Sequence, residues 1–99
     1  MLNFEKVLGV FKEYLDGEDM YEIVMTSHGY TLMGWNAPRK EWHTAKYLET
    51  PEIMLEALLE TYADYLTDEL TESDRDITPE EQAEISTKCQ HLRTLCQSE

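Results

Sequence analysis

Six carboxylates stand four residues apart between Pro51 and Asp74: Glu52, Glu56, Glu60, Asp64, Asp68 and Glu72. Residues four apart are neighbours on a helix, and like charges there repel by about 0.2–0.5 kcal/mol per pair. Solvent faces usually mix signs, because Glu-to-Lys pairs at this spacing support the helix. Here the segment from Glu49 to Glu84 holds thirteen acidic residues and one base, Arg75. Successive members of the row step ~6 Å along a helix axis and drift about 40° around it. One reading is a solvated helical face that keeps the protein soluble. The other is an anionic rail with the charge character of a nucleic-acid backbone, suited to a groove lined with lysine and arginine. Glu69, Asp74 and Asp76 would extend such a surface.

Other chemistry is poorly served. Asp74, Asp76 and Thr78 fall at positions one, three and five of a calcium loop, but Pro79 stands where glycine is needed and Ile85 where a bidentate glutamate is needed. Cys89 and Cys96 share a helical face while His91 points away from them, and no second cysteine or histidine pair completes a zinc set. Ser27 and His28 are adjacent in a turn and diverge, and no nucleophile elbow surrounds them. His43 reads as a partly exposed sheet histidine. No phosphate-binding or dinucleotide fingerprint occurs. The sequence therefore predicts a binding protein, not an enzyme, with no cofactor and no metal.

A second patch sits beside a turn. Trp35 and Trp42 flank the segment Asn36–Glu41 and come opposite each other if two strands pair there, as cross-strand aromatics do. Arg39 and Lys40 lie between them. Tryptophan and arginine are enriched in protein-binding hot spots, so Trp35, Arg39 and Trp42 form a second candidate surface. The chain's charge disfavours direct binding of nucleic acid by it.

That charge is the extreme property of the whole chain. Of 99 residues, 21 are acidic and 8 basic, a formal net charge of −13. Such a field repels nucleic acid and anionic membranes and speeds encounter with basic surfaces. About twelve of the thirteen net charges come from Glu49–Glu84, whereas Arg39–Lys46 holds three bases against Glu41. The length suits one domain spanning 1–99, and the apolar and aromatic content suits a folded one. Cys89 and Cys96 are ~10 Å apart on one helix, beyond disulfide reach. With no signal peptide and no apolar run of membrane length, the expectation is a reduced, cytoplasmic protein.

The elements that must position these groups follow from periodicity. Phe4, Val7, Leu8, Phe11, Tyr14 and Leu15 have the spacing of one buried helical stripe, predicting a helix over 3–16 capped by Asn3 and closed by Gly17. Tyr21, Ile23 and Met25, then Tyr30, Leu32 and Gly34, alternate around Ser27-His28-Gly29 and predict a hairpin. Residues 42–49 read as a third strand. Thr50 and Pro51 begin a helix running to about Thr71, with Leu55, Leu58, Leu59, Tyr62, Tyr65 and Leu66 toward the core. Glu72-Ser73-Asp74-Arg75-Asp76 is a polar break. Thr78 and Glu81 form a capping box for a last helix whose stripe is Ile85, Cys89, Leu92 and Cys96. The order αβββαα predicts a two-layer α+β domain.

The stretches NFEKVLGVFKEYL, YEIVMTSHGYTLMGW and TPEIMLEALLETYADYL together resemble small acidic uncharacterised proteins of prophages and mobile elements in Firmicutes. That resemblance covers most of the chain and implies no activity and no residues to transfer. Small acidic phage proteins include inhibitors of CRISPR and restriction enzymes, so it adds weight to an anti-CRISPR type of role. The expected partner is a basic nucleic-acid-binding protein, such as a CRISPR effector or nuclease. The alternative is an accessory or scaffold protein that binds another protein, or itself as a homodimer, through the aromatic hairpin.

Overall fold

The protein is described from a computed structural model covering residues 2–72 and 74–97; Ser73 of the polar break lies outside the described residues. The elements are α1 (Phe4–Val10), α2 (Lys12–Gly17), β1 (Tyr21–Thr26), β2 (Gly29–Asn36), β3 (Glu41–Leu48), α3 (Pro51–Thr71) and α4 (Pro79–Gln97). The fold is α+β, an open antiparallel sheet packed with helices. Among the described residues the sheet order is β1-β2-β3.

The N-terminal helix departs from the expected single element over 3–16. Asn3 caps α1 by accepting from the Lys6 N–H at 2.8 Å, but regular helix stops at Val10 and restarts at Lys12. Phe11 between them has φ −93° and ψ 3°. The break follows Gly9, the weakest helix former in the segment. Phe11 itself is fully buried, so core packing holds the junction.

Two strands join through Ser27-His28, where Gly29 takes φ +118°, a conformation that glycine alone adopts cheaply. The ring of Tyr47 lies against Gly29 and its hydroxyl donates to the His28 carbonyl. A register shift opposite Leu32 and Met33 adds one residue to β3. Beyond it Trp35 pairs with Trp42. Tyr21, Ile23, Tyr30, Leu32 and Leu48 point to the helices and join the core with Val7, Phe11, Met54, Leu55, Leu58 and Cys96. Alternation puts Val24, Met33, Trp35, Trp42 and Tyr47 on the other sheet face, and none of them joins that core.

Thr50 caps α3, its hydroxyl accepting from the Ile53 N–H at 3.1 Å, and Pro51 opens the first turn. The helix outruns the core. Tyr65, expected in the buried stripe, is 40% exposed; Leu66 is only half-buried and takes no part in the core cluster. Tyr65 packs instead on Tyr14 at 5.5 Å between ring centroids. Arg75 then joins α3 to α4. It donates to the Leu70 carbonyl at 2.9 Å and to both carboxylate oxygens of Glu81 at 2.8 and 2.7 Å. Glu81 also closes the capping box, with Thr78 N–H to Glu81 at 3.1 Å and Glu81 N–H to Thr78 at 3.2 Å. The lone base of the acidic segment is thus consumed in a helix junction.

Candidate functional site

The acidic row crosses α3 diagonally. Taking Leu55 as zero and about 100° per residue, the buried side chains span about −160° at Ala57 to +40° at Leu59, because Met54, Ala57 and Thr61 are covered as well as the leucines. The sequence stripe alone placed the whole row opposite the core. The structure corrects this: Glu56 and Glu60 lie opposite the buried arc, while Asp64 lies on its shoulder, beside Ala57. Tertiary packing decides the difference, since both the sheet and α1 press on this helix.

At one flank the row meets α4. Glu56 is gripped by both guanidinium nitrogens of Arg93, with Nη2–Oε2 at 2.9 Å, and this hydrogen bonding holds the Glu56 carboxyl below its ordinary pKa of 4.5. At the other flank the row meets the sheet. Glu60 and Asp64 line an open cleft of about 310 Å³ with Tyr21, Leu32 and Lys46. Partial desolvation raises the Asp64 pKa above 3.8, and the charges of Glu60 and Asp68 raise it further. Among the described residues Glu60, Asp64 and Asp68 form no ion pair.

The row ends sooner than its spacing indicated. Glu72 has φ 54° and ψ 27°, in the left-handed conformation at the end of α3. Left-handed residues terminate helices, so Glu72 leaves the helical register. Asp74 follows in a turn, its N–H donating to the Thr71 carbonyl at 3.0 Å, and the Asp76 carbonyl accepts from Arg75 at 3.2 Å. Glu52, Glu69, Asp74 and Asp76 are exposed. Those beyond Thr71 belong to the helix junction and not to the row.

Trp35 and Trp42 do meet, with ring centroids 5.3 Å apart and planes at 64°. Trp42 is 42% exposed. In the turn that joins them, the Arg39 N–H donates to the Asn36 side chain at 3.2 Å and its guanidinium lies 3.8 Å from Glu41. Lys40 completes the turn with φ 53°.

Between the two candidate surfaces lie residues that sequence reasoning missed. A trough of about 390 Å³ runs beside the C-terminal half of α3, lined by Asp64, Tyr65, Asp68 and Glu69 on the helix and by Glu18, Met20 and Tyr21 on the other side. Met20 also lines a notch of about 430 Å³ with Asp19, Ala37, Trp35 and Trp42. The Trp35 N–H donates to the Met20 carbonyl at 2.8 Å, continuing the ladder by one pair and fixing the α2–β1 connection against the tryptophans. Glu18 locks the same connection, accepting from the Tyr14 hydroxyl at 3.0 Å and from the Met20 N–H at 3.0 Å. Glu18, Asp19 and Met20 follow a glycine and fit no period, so no spacing signal marked them.

Among the described residues no group of three or more histidine, cysteine, aspartate or glutamate side chains could hold a metal ion. Cys89 and Cys96 are free, and burial raises both thiol pKa values. No described helix is long and apolar enough to cross a membrane. Comparison with protein-family models, with curated proteins and with solved structures finds no match to this chain.

Proposed function

We propose that the protein is an inhibitor that occupies the basic nucleic-acid-binding surface of a partner, a CRISPR effector or nuclease, by presenting carboxylates in place of phosphates. The observation that supports this reading is the one-signed run Glu60, Asp64 and Asp68. These side chains are exposed and form no ion pair among the described residues, and the central member's pKa is raised by partial burial first and by the charges of its two neighbours second. A run arranged only for solubility would be more stable with alternating signs. A basic groove would relieve the repulsion on binding, and no catalysis is needed.

The test is competition. Adding the chain to a basic nuclease bound to labelled nucleic acid should displace the nucleic acid at low salt. The effect should weaken steeply as salt screens the charges, and charge reversal E60K/D64K/D68K should abolish it. Inhibition that survives both would sink the proposal.

One observation favours a second reading. Trp42 and Tyr47 are exposed on a sheet face that the core leaves uncovered. Association through that face, with another protein or a second copy, would tolerate salt and be weakened by Trp35→Ala.

A further inference from the structure

The tryptophan notch has a chemistry of its own. It is lined by two indoles set at 64° to each other, together with Met20, Ala37 and the acidic residue Asp19. Asp19 makes no side-chain hydrogen bond or ion pair among the described residues, whereas its neighbour Glu18 is fully engaged by Tyr14 and Met20. Arg39, the cation of the adjoining turn, lies toward Glu41. The notch therefore combines exposed indole surface with an uncompensated carboxylate. Cations are drawn to the faces of tryptophan within about 6 Å of the ring centroid. A guanidinium suits this shape better than an ammonium, because its plane stacks on an aromatic ring while its edge donates to a carboxylate.

We infer that the notch formed by Trp35, Trp42, Met20 and Asp19 receives one arginine side chain of the basic partner. Charge complementarity identifies the occupant. Among the described residues the Asp19 carboxylate has no cation of its own, Met20 lines both the notch and the acidic trough, and a partner drawn to Glu60, Asp64 and Asp68 carries arginine that reaches round the sheet edge at Met20. The footprint then has two parts that meet at Met20, electrostatic along α3 and, on the other sheet face, aromatic at the hairpin. The row provides attraction and encounter rate, and the notch fixes register. This inference rests on the proposed basic partner and adds a specific anchor to it.

The test uses the two tryptophans of the chain as the probe, since both lie in the notch. The full chain is titrated with hexa-arginine and with hexalysine at low salt, following tryptophan emission and, in parallel, binding heat. Hexa-arginine should change the emission saturably. Trp42→Leu should weaken its binding by about two- to five-fold, the scale of an exposed cation–aromatic contact, and Asp19→Asn by up to about five-fold, the scale of an exposed ion pair. Hexalysine should bind more weakly and change the emission less. Asp19→Asn leaves the core untouched, so the test holds even if the tryptophan variant folds poorly. If hexa-arginine binds by heat and E60Q/D64N/D68N abolishes that binding, while emission and the Asp19→Asn affinity stay unchanged, the notch is overturned and the acidic row stands. Equal responses to hexalysine overturn the choice of arginine. No binding heat at all overturns both the notch and the basic partner.

Discussion

Arg93 of α4 grips Glu56 of α3 through two parallel nitrogen–oxygen contacts across 37 positions of sequence. The pair ties one helix to the other at the surface. It also divides the acidic row, since Glu56 is neutralised within the molecule while Glu60, Asp64 and Asp68 are left to the solvent or to a partner. The row is thus shorter as a binding surface than as a pattern.

Removing Arg93 should cost little stability and leave the acidic surface more negative. Both side chains are partly exposed, and such pairs contribute about 0.2–1 kcal/mol. Arg93→Ala should lower stability by that amount at neutral pH in urea unfolding. The Glu56 pKa is depressed in the folded state, so the contribution is present above its ordinary 4.5 and is lost as pH falls through the lower folded value. The variant and the parent should converge in acid. A deficit that persists there would assign Arg93 a packing role instead.

Asp64 has the opposite sign. Its pKa is raised, so the folded state holds the proton more tightly than the unfolded one, and stability falls as pH rises through this range. Asp64→Asn removes two like-charge neighbours and should stabilise the protein by about 0.4–1 kcal/mol at neutral pH. The same change should weaken binding to a basic partner. Thermal unfolding and a binding titration on one sample check both, and stability that moves down would contradict the account of strain along the row.

Arg75 and Glu81 form the acid-sensitive joint. Hydrogen bonds from Arg75, then from the Thr78 backbone, hold the Glu81 carboxyl at about 2, against an ordinary 4.5. The stability this supplies is complete above 4.5 and disappears as pH falls toward about 2. Melting temperature should drop across that window in the parent chain. Arg75→Gln should start from a lower value at neutral pH and drop less across the same window. Parallel curves would show that the pair does not govern acid unfolding.

Gly34 is a packing constraint in the sheet. A Cβ added there would stand 2.9 Å from the ring of His43, its cross-strand partner. Gly34→Ala should destabilise by about 1 kcal/mol, the low end for overpacking, because the exposed ring can swing outward. The second change, His43→Ala, should recover most of the loss, giving a measurable coupling in a double-mutant cycle. Additive effects would place the strain in the backbone.

Local elements were legible because local physics makes them. Thr50-Pro51 begins α3 and Thr78 with Glu81 begins α4, each satisfying N–H groups that the helix itself leaves open. The alternation from Tyr21 to Gly34 identified the hairpin. The pairing of Trp35 with Trp42 followed from the turn between them. The N-terminal helix misled, since its stripe continues through Phe11 although the helix does not; a periodicity records which side is buried and not whether the backbone stays regular.

The sequence by itself determined that one helix would carry a run of carboxylates without a matching base, because four-residue spacing and charge are properties of the chain. Only the tertiary structure decided which of them are spoken for. Arg93 reaches Glu56 because α4 folds back along α3. Asp64 is raised because the sheet covers its shoulder of the helix. Met20 borders both the acidic trough and the tryptophans because one ladder hydrogen bond draws the α2–β1 connection beside β2. Each of these facts depends on the distance between segments remote in sequence. Packing of the apolar core sets those distances, and no local period encodes them.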